Sequence, residues 1–450
     1  MPGSMAANQA DQSRDAIERS LDKLDKVSKQ YNLTHDDKGK KMRKLISQIV
    51  KKVDALDDSK TDSKAQAFCW KGRAYGSLSE YSKEAEDFLT KAIKLEPTNV
   101  DAWNALGTEY WKKKDLRAAG DCFRGALDQN KNKISYRKLS MVVRNFGEPK
   151  TYRVRLEESI SLAKKAIALD VSDSESWYIL GNAYMTTFFS TFSTSDLEGC
   201  LKAYEKSEKM HKLGSSSKGG AADDKSSCTN PDLYYNRANV HKFYEQFQEA
   251  IDGYRNAKQL DPHLPGQDEI DNIHRFVKKL SKLVRTKNGL KAKKLLKFSA
   301  QIPPSVEIKD SKRVELKQLE IGENKDKFVV GTMIAPVTRS ESVPVSFIVM
   351  DKNTDMFVVS IYGVIASLIN DIKVGDVLFI NKPILRKISV KEFKERSYPC
   401  IMVPNAATLS VNGHALPKKA FAKPVVRVET YGTALTKEGK IASNKNKIKS

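Results

Sequence analysis

The chain has 450 residues, 40% of them hydrophobic, enough to fill the cores of two or three domains. Its 78 Lys and Arg outnumber 56 Asp and Glu, a formal +22 that suggests a polyanion partner such as nucleic acid, a ribosome or a membrane surface if the charge is gathered in one place. Five scattered cysteines (Cys69, Cys122, Cys200, Cys228, Cys400), a start without an apolar signal core and no bilayer-length run argue against a disulfide scaffold, a metal knuckle, a secreted chain and a membrane partner; the cytoplasm is expected, with the nucleus also open.

Two amphipathic helices are expected at 12–31 and 38–56, within an N-terminal capping segment at 1–60. In the second, Met42, Leu45, Ile46, Ile49, Val50, Val53 and Leu56 share a face, while Lys38, Lys40, Lys41, Arg43 and Lys44 load the first turns. From 61 to 266 a helix-pair pattern recurs. Its fullest form is Trp103, Leu106, Gly107, Tyr110, Ala119, Phe123 and Ala126, and it returns as Trp177, Leu180, Gly181, Tyr184 and as Tyr234, Ala238, Phe247, Ala250, Tyr254, Ala257. Small residues stand where two helices touch and large ones grip the next pair, which is the tetratricopeptide signature. About five repeats fit, at 65–99, 100–133, 140–173, 174–214 and 231–264, the third reduced to Phe146, Gly147, Ala163 and Ala166. A Ser/Gly/Lys/Asp-rich flexible loop is expected at 214–230.

A single long helix is expected next, from Gln267 to Lys297 within a basic capping segment at 267–302. Ile270, Ile273, Phe276, Val277, Leu280, Leu283 and Val284 can seal the open end of the solenoid. From Asn272 to Lys297 there are ten Lys and Arg and no carboxylate, nearly half the net charge of the chain, which points to a basic contact surface. At Pro303 the period changes from helical to alternating. FVVGTMIAPV, VPVSFIVMD, MFVVSIYG, DVLFINKPI, CIMVP and ATLSVNG read as strands, with a short helix in VIASLINDIKVGD, and 303–417 suits a small Greek-key barrel of the OB type. Residues 418–450 read as a disordered basic tail. The fold class is thus a mostly α tetratricopeptide-repeat superhelix followed by a small β-barrel. Phe347, Phe357, Tyr362 and Phe379 could serve that barrel as stacking platforms for single strands, although aromatics alternating in strands usually belong to the core.

No phosphate loop, dinucleotide fingerprint, nucleophile elbow or HExxH appears, and the six histidines show no paired metal spacing, so no catalytic residue, metal or cofactor is expected. In such a solenoid the first helix of each repeat turns its second, fifth, sixth, ninth and twelfth positions into a concave groove that holds peptides. Those positions are Asn104, Thr108 and Trp111; Arg144 and Asn145; Tyr178 and Asn182; and Asp232, Tyr235, Asn236, Asn239 and Lys242. Asparagines such as Asn182, Asn236 and Asn239 can bond both the N–H and the C=O of an extended chain. Arg144 and Asp232 could read an acidic and a basic side chain. Taken singly, each is equally well explained by a bond between repeats; several along one groove favour a ligand.

The stretches AWNALGTEYWKKKDL, LSMVVRN, SWYILGNAY and NPDLYYNRANVHK, the KAKKL run and the C-terminal barrel together resemble the tetratricopeptide repeat protein 5 (Strap) family over about residues 65–415. The resemblance implies a non-enzymatic adaptor that recognises the N-terminal Met-Arg-Glu motif of nascent tubulin at the ribosome exit tunnel. Such an adaptor promotes co-translational decay of tubulin messages through a decay effector recruited by a further adaptor. A stress-responsive nuclear transcription cofactor is the alternative role it implies. Carried over by motif, the groove arginine falls on Arg144 and the groove aspartate on Asp232. The ribosome-contacting lysines, which would meet ribosomal RNA or protein, fall on Lys291 and Lys293, with Lys294 in the same run. A further groove glutamate of the family falls on Gly266, where Asp268 or Glu269 could stand in.

Overall fold

The computed structural model describes residues 2–30, 33, 35–56, 61–145, 152–191, 194–216, 230–337, 344–364, 367–393, 396–417 and 420–421. Phe146, Gly147, Cys228, residues 217–229 of the expected 214–230 loop and all but two residues of the 418–450 tail lie outside them, while residues 214–216 are helical rather than loop. Twelve of the described helices pair in sequence: α1 (Pro2–Ser28) with α2 (His35–Asp54), α3 (Thr61–Tyr75) with α4 (Lys83–Leu95), α5 (Val100–Lys112) with α6 (Leu116–Gln129), α7 (Lys133–Asn145) with α8 (Tyr152–Leu169), α9 (Ser174–Thr191) with α10 (Thr194–Ser216), and α11 (Pro231–Phe243) with α12 (Phe247–Leu260). Local chemistry fixes their starts. Ser82, Asn99 and Asp115 each cap a helix by accepting from the amide three residues on. Within a pair the helices touch where the signature places glycine. A Cβ on Gly107 would lie 2.6 Å from the Phe123 ring, and one on Gly181 2.5 Å from Tyr204. The first pair buries Ile17, Leu21, Leu24, Met42, Ile46 and Ile49 against Trp70 and Ala74 of α3, and so covers the end of the solenoid.

α13 (Gly266–Arg285) closes the other end with Ile270, Ile273, Val277 and Leu280. The single long helix expected here is broken. Lys287, Asn288 and Gly289 take φ of 48°, 53° and 68°, which no right-handed helix accommodates, and α14 (Ala292–Ser299) starts afresh. Leu295 and Phe298 anchor α14, the Phe298 carbonyl accepts from Thr332 Oγ1 (2.9 Å), and Ser299 Oγ donates to the Lys352 carbonyl (2.7 Å). This short basic helix is therefore pinned to the barrel.

The barrel runs β1 (Lys312–Arg313), β2 (Gly322–Glu323), β3 (Lys327–Val337), β4 (Val345–Met350), β5 (Met356–Ile361), α15 (Leu368–Asp371), β6 (Val377–Asn381), β7 (Ile384–Ile388), β8 (Tyr398–Val403), β9 (Leu409–Val411) and β10 (His414–Ala415). Long β3 pairs through its first half with β6 and through its second with β4. β4 pairs antiparallel with β5, β5 parallel with β8, and β8 antiparallel with β7. β6 and β7 are two halves of one strand bent at Lys382, whose φ is 53°, so the ring β3–β4–β5–β8–β7/β6 closes. The helix α15 lies between β5 and β6, as the OB topology requires.

Phe347, Val349, Phe357, Val359 and Ile401 fill the barrel, while Ile348, Met350, Met356, Val358 and Met402 on the opposite strand faces join the solenoid core. Strands buried on both faces read as unbroken apolar runs, which is why VSFIVM and MFVVSI scarcely alternate in polarity. The four candidate stacking aromatics are all taken. Phe347 and Phe357 lie inside the barrel, Tyr362 stacks on Tyr244 at 5.6 Å, and Phe379 packs with Ile302 and Phe328. The single-strand platform is thereby removed. At the joint Glu245, buried with a φ of 57°, accepts from Ser360 Oγ (3.1 Å) and Cys400 Sγ (3.3 Å), and Arg386 donates to the Tyr244 carbonyl (3.0 Å).

Candidate peptide-binding groove

The groove is built from the first helices of successive repeats. Arg144 ends α7 and is only 4% exposed. Its Nη1 has no hydrogen-bond partner, and among the described residues no carboxylate pairs with the guanidinium. Burial presses its pKa down, partly offset by the hydroxyls of Tyr178, Tyr204 and Tyr152. Asp232, in the first turn of α11, is 9% exposed. Among the described residues its carboxylate likewise meets neither a cation nor a hydrogen-bond donor. Burial first, and the nearby Asp261 carboxylate second, raise its pKa to about 7. The Tyr178 hydroxyl senses both charges, its pKa raised by burial and then by Asp232 and lowered by Arg144.

A buried charge that lacks a partner costs several kcal/mol, and folded chains rarely keep one without use. Here two of opposite sign flank one tyrosine. The asparagines between them are half committed. Asn182, fully buried, accepts on Oδ1 from the Tyr204 hydroxyl (2.7 Å) and from Asn236 Nδ2 (3.2 Å), and its own Nδ2 has no acceptor. Asn236 is thereby engaged between repeats. Asn239 and Tyr235 belong to their own repeat: Asn239 Oδ1 accepts from the Tyr254 hydroxyl (2.7 Å), and the Tyr235 ring meets Tyr254 edge-on at 5.2 Å. Lys242 pairs with Glu269 at 2.7 Å. That bond uses Glu269, one of the two carboxylates that could stand in for the groove glutamate. Gly266 itself admits no side chain, since a Cβ there would lie 2.8 Å from the Tyr254 carbonyl oxygen. Asn145 turns back to the Met141 carbonyl at the exposed end of α7.

Lys138, six residues before Arg144 on α7, is a groove residue that the sequence reading passed over. Its Nζ donates to Thr108 Oγ1 (2.9 Å) and lies 5.9 Å from the centre of the Phe123 ring. Among the described residues no carboxylate pairs with it, and burial lowers its pKa. It lines a cavity of about 770 Å³ whose walls come from α1, α2, α3, α5, α7 and, on the far side, Asp261 and His263. Lys38 at the start of α2 faces the same Asp261.

The basic stretch lies apart from the groove. Of its ten cations all but Lys287 are exposed, and none forms an ion pair among the described residues. Lys291, just before α14, and Lys293 and Lys294 in its first turn are exposed, and the Lys294 ammonium lies 5.8 Å from the centre of the Phe298 ring.

Residues 310–444 match the tetratricopeptide repeat protein 5 OB fold domain, and residues 65–99 and 100–133 match the tetratricopeptide repeat. Over 442 residues the chain is 32% identical to tetratricopeptide repeat protein 5 of Mus musculus, covering 91% of this chain and 96% of that one. The Homo sapiens protein of the same name is 31% identical over 420 residues, covering 88% and 92%. Among solved structures, the repeat protein YrrB, described as having an unusual peptide-binding site, aligns at 18% identity and a TM-score of 0.31 over 46% of this chain and 91% of its own.

Proposed function

The chain is an adaptor of the tetratricopeptide repeat protein 5 family, and from that membership and the chemistry of its groove we propose that it recognises the N-terminal Met-Arg-Glu of nascent tubulin on the ribosome. In this reading Asp232 takes the peptide arginine and Arg144 its glutamate, so each ligand charge neutralises a buried charge of opposite sign. Asn182 Nδ2 adds a donor beside Arg144. The cations at the start of α14, Lys291, Lys293 and Lys294, contact ribosomal RNA phosphates or an adjoining ribosomal protein near the exit tunnel. Its output is recruitment: a decay effector is brought to the tubulin message through a further adaptor. The place of action is the cytoplasm, with the nucleus a second compartment.

The observation that carries the reading is the pair of unneutralised buried charges in one groove, Arg144 and Asp232. Titration with Met-Arg-Glu peptides tests it directly. Replacing the peptide arginine by lysine should weaken binding, because an ammonium cannot make the planar two-pronged contact. Replacing the glutamate by glutamine should also weaken it. Equal affinity for all three peptides would refute charge reading in the groove. Co-sedimentation of the protein with ribosomes whose nascent chains bear or lack a tubulin N-terminus tests the cellular half.

A further inference from the structure

Asn104 on α5 accepts on Oδ1 from Ser135 Oγ (2.8 Å), while its Nδ2 is buried with no acceptor. Thr108, one turn further along α5, receives the Lys138 ammonium. A cation on α7 and an asparagine amide with an idle donor thus stand together. On the other side of the same helix, Arg144 shares the neighbour Tyr204 with Asn182, whose Nδ2 also has no acceptor. One helix therefore carries two buried cations, Lys138 and Arg144, and buried amides without an acceptor stand on the neighbouring α5 and α9.

We propose that the groove continues past Arg144 into a second subsite, at Lys138 and Asn104 beside the N-terminal hairpin, that holds the main chain of the peptide downstream of its third residue. The inference rests on the peptide reading above, which also sets the direction. The peptide's second residue lies at Asp232 in the fifth repeat and its third at Arg144 in the third repeat. The following residues then head toward the second repeat and the hairpin α1–α2. Six residues of α7 separate Arg144 from Lys138, about 9 Å along the axis. An extended chain covers that distance in about three residues. The fifth to seventh residues therefore reach Lys138.

The charges around the cavity decide what is held there. Its described lining carries six carboxylates and five Lys or Arg. Some of these are already paired, such as Lys112 with Glu109 at 2.6 Å. A nearly balanced wall offers little net attraction to an acidic or a basic side chain, whereas the Lys138 ammonium on the wall and the Asn104 amide, one turn from the wall residue Thr108, offer N–H donors that suit carbonyl oxygens of any sequence. The subsite therefore rewards length rather than composition. It also gives α1 and α2, which supply Leu21, Asp25 and Lys38 to the cavity, a part in binding as well as in covering the first repeat.

The test compares two amide-capped peptides, Met-Arg-Glu and Met-Arg-Glu-Ala-Ser-Ala-Ser, by calorimetry on the full chain. The wild type should bind the longer peptide about tenfold more tightly, the gain expected from one or two hydrogen bonds. Lys138→Met should erase the gain and leave tripeptide affinity unchanged. Asn104→Asp keeps the acceptor that Ser135 uses and removes the idle donor, so it should cut the gain too, and it carries the mutational test if Lys138→Met fails to fold. Equal binding of the two peptides by the wild type, or a full gain in both variants, overturns the subsite while leaving the three-residue reading intact. A gain that appears only when the extension contains Glu overturns the main-chain assignment in favour of an acidic side-chain pocket. If the wild type does not bind the tripeptide, the groove reading fails and the subsite falls with it.

Discussion

Asp232 offers the sharpest quantitative test, because its carboxyl is held near pKa 7 by burial and by Asp261. Moving the pKa from 3.8 to about 7 means that ionising this group in the empty groove costs on the order of 4 kcal/mol. The sign follows from linkage. A carboxyl whose folded pKa is raised contributes stability that is fully present below the unfolded value of 3.8 and is lost as pH rises toward 7. At pH 8 the empty protein therefore bears the whole cost, and Asp232→Asn should raise its Tm there while changing little at pH 4. A bound arginine reverses the balance, since a guanidinium favours the ionised form. Binding of a Met-Arg-Glu peptide below pH 7 must then expel a proton, and affinity should fall by up to about tenfold for each pH unit below 7.

Calorimetry between pH 5.5 and 8, in buffers of different ionisation enthalpy, measures both the slope and the released proton. Asp232→Asn is the reference and should bind weakly without that slope. Lys38 and His263 also face Asp261, so His263→Gln separates the imidazole from the carboxylate. A flat affinity profile in the wild type, or the same slope in Asp232→Asn, would falsify the assignment of Asp232 as the arginine's partner.

Arg144→Met removes an unneutralised buried charge, so the empty protein should melt no lower than wild type, while peptide affinity falls by about 2–5 kcal/mol in a titration; a lowered Tm with intact binding would make Arg144 structural. Lys291→Glu with Lys293→Glu should leave peptide binding and Tm unchanged and abolish ribosome co-sedimentation at moderate salt, and the wild-type interaction should weaken steeply as salt rises. Gly266→Glu forces a Cβ to within 2.8 Å of a backbone carbonyl, so chemical denaturation should show a loss of about 1–3 kcal/mol and no gain in peptide affinity. An affinity gain there would mean that the site has room for the glutamate after all.

Much of this was legible in the sequence because the repeat signature fixes register. Once Gly107 and Gly181 mark where helices touch, the groove positions follow, and Arg144 and Asp232 fall on them without reference to a structure. The barrel was legible through its change of period. The break at Lys287–Gly289 was not taken into account, although Asn288–Gly289 is a turn signal, because the apolar stripe before it and the Leu-rich run after it share a helical period. Tyr235 and Asn239 show the limit of position alone: register puts them near the groove, but the contacts that commit them to Tyr254 depend on a neighbouring helix. The approach of Lys38 to Asp261 depends on superhelix curvature, which accumulates over five helix pairs and is written at no single residue. For the same reason Lys138 reads as one more surface lysine until α5 and Phe123 are seen to enclose it.

The two proposed contact surfaces are held by one framework, and this bears on how both could be used at once. α11 carries Asp232 at its start and, 13 residues on, leads directly into the turn at Glu245 that docks on β5 and β8. One helix of about 20 Å therefore connects the arginine site to the solenoid–barrel joint. On the barrel side Thr332 and Lys352 fix the position of α14 and its lysines. The joint has an apolar interior, with Tyr362 stacked on Tyr244 and packed against Phe243, and an outer ring of charge pairs such as Lys391 with Asp252. Groove and basic surface thus keep a set separation instead of being strung on a linker. When one site is occupied, the second binding event costs little further conformational entropy if its target lies at that separation, and gains almost nothing if it does not. A rigid spacing discriminates where each contact alone cannot. A free Met-Arg-Glu terminus satisfies the groove only, and bare nucleic acid satisfies α14 only. A peptide emerging at a fixed distance from a phosphate-rich surface satisfies both.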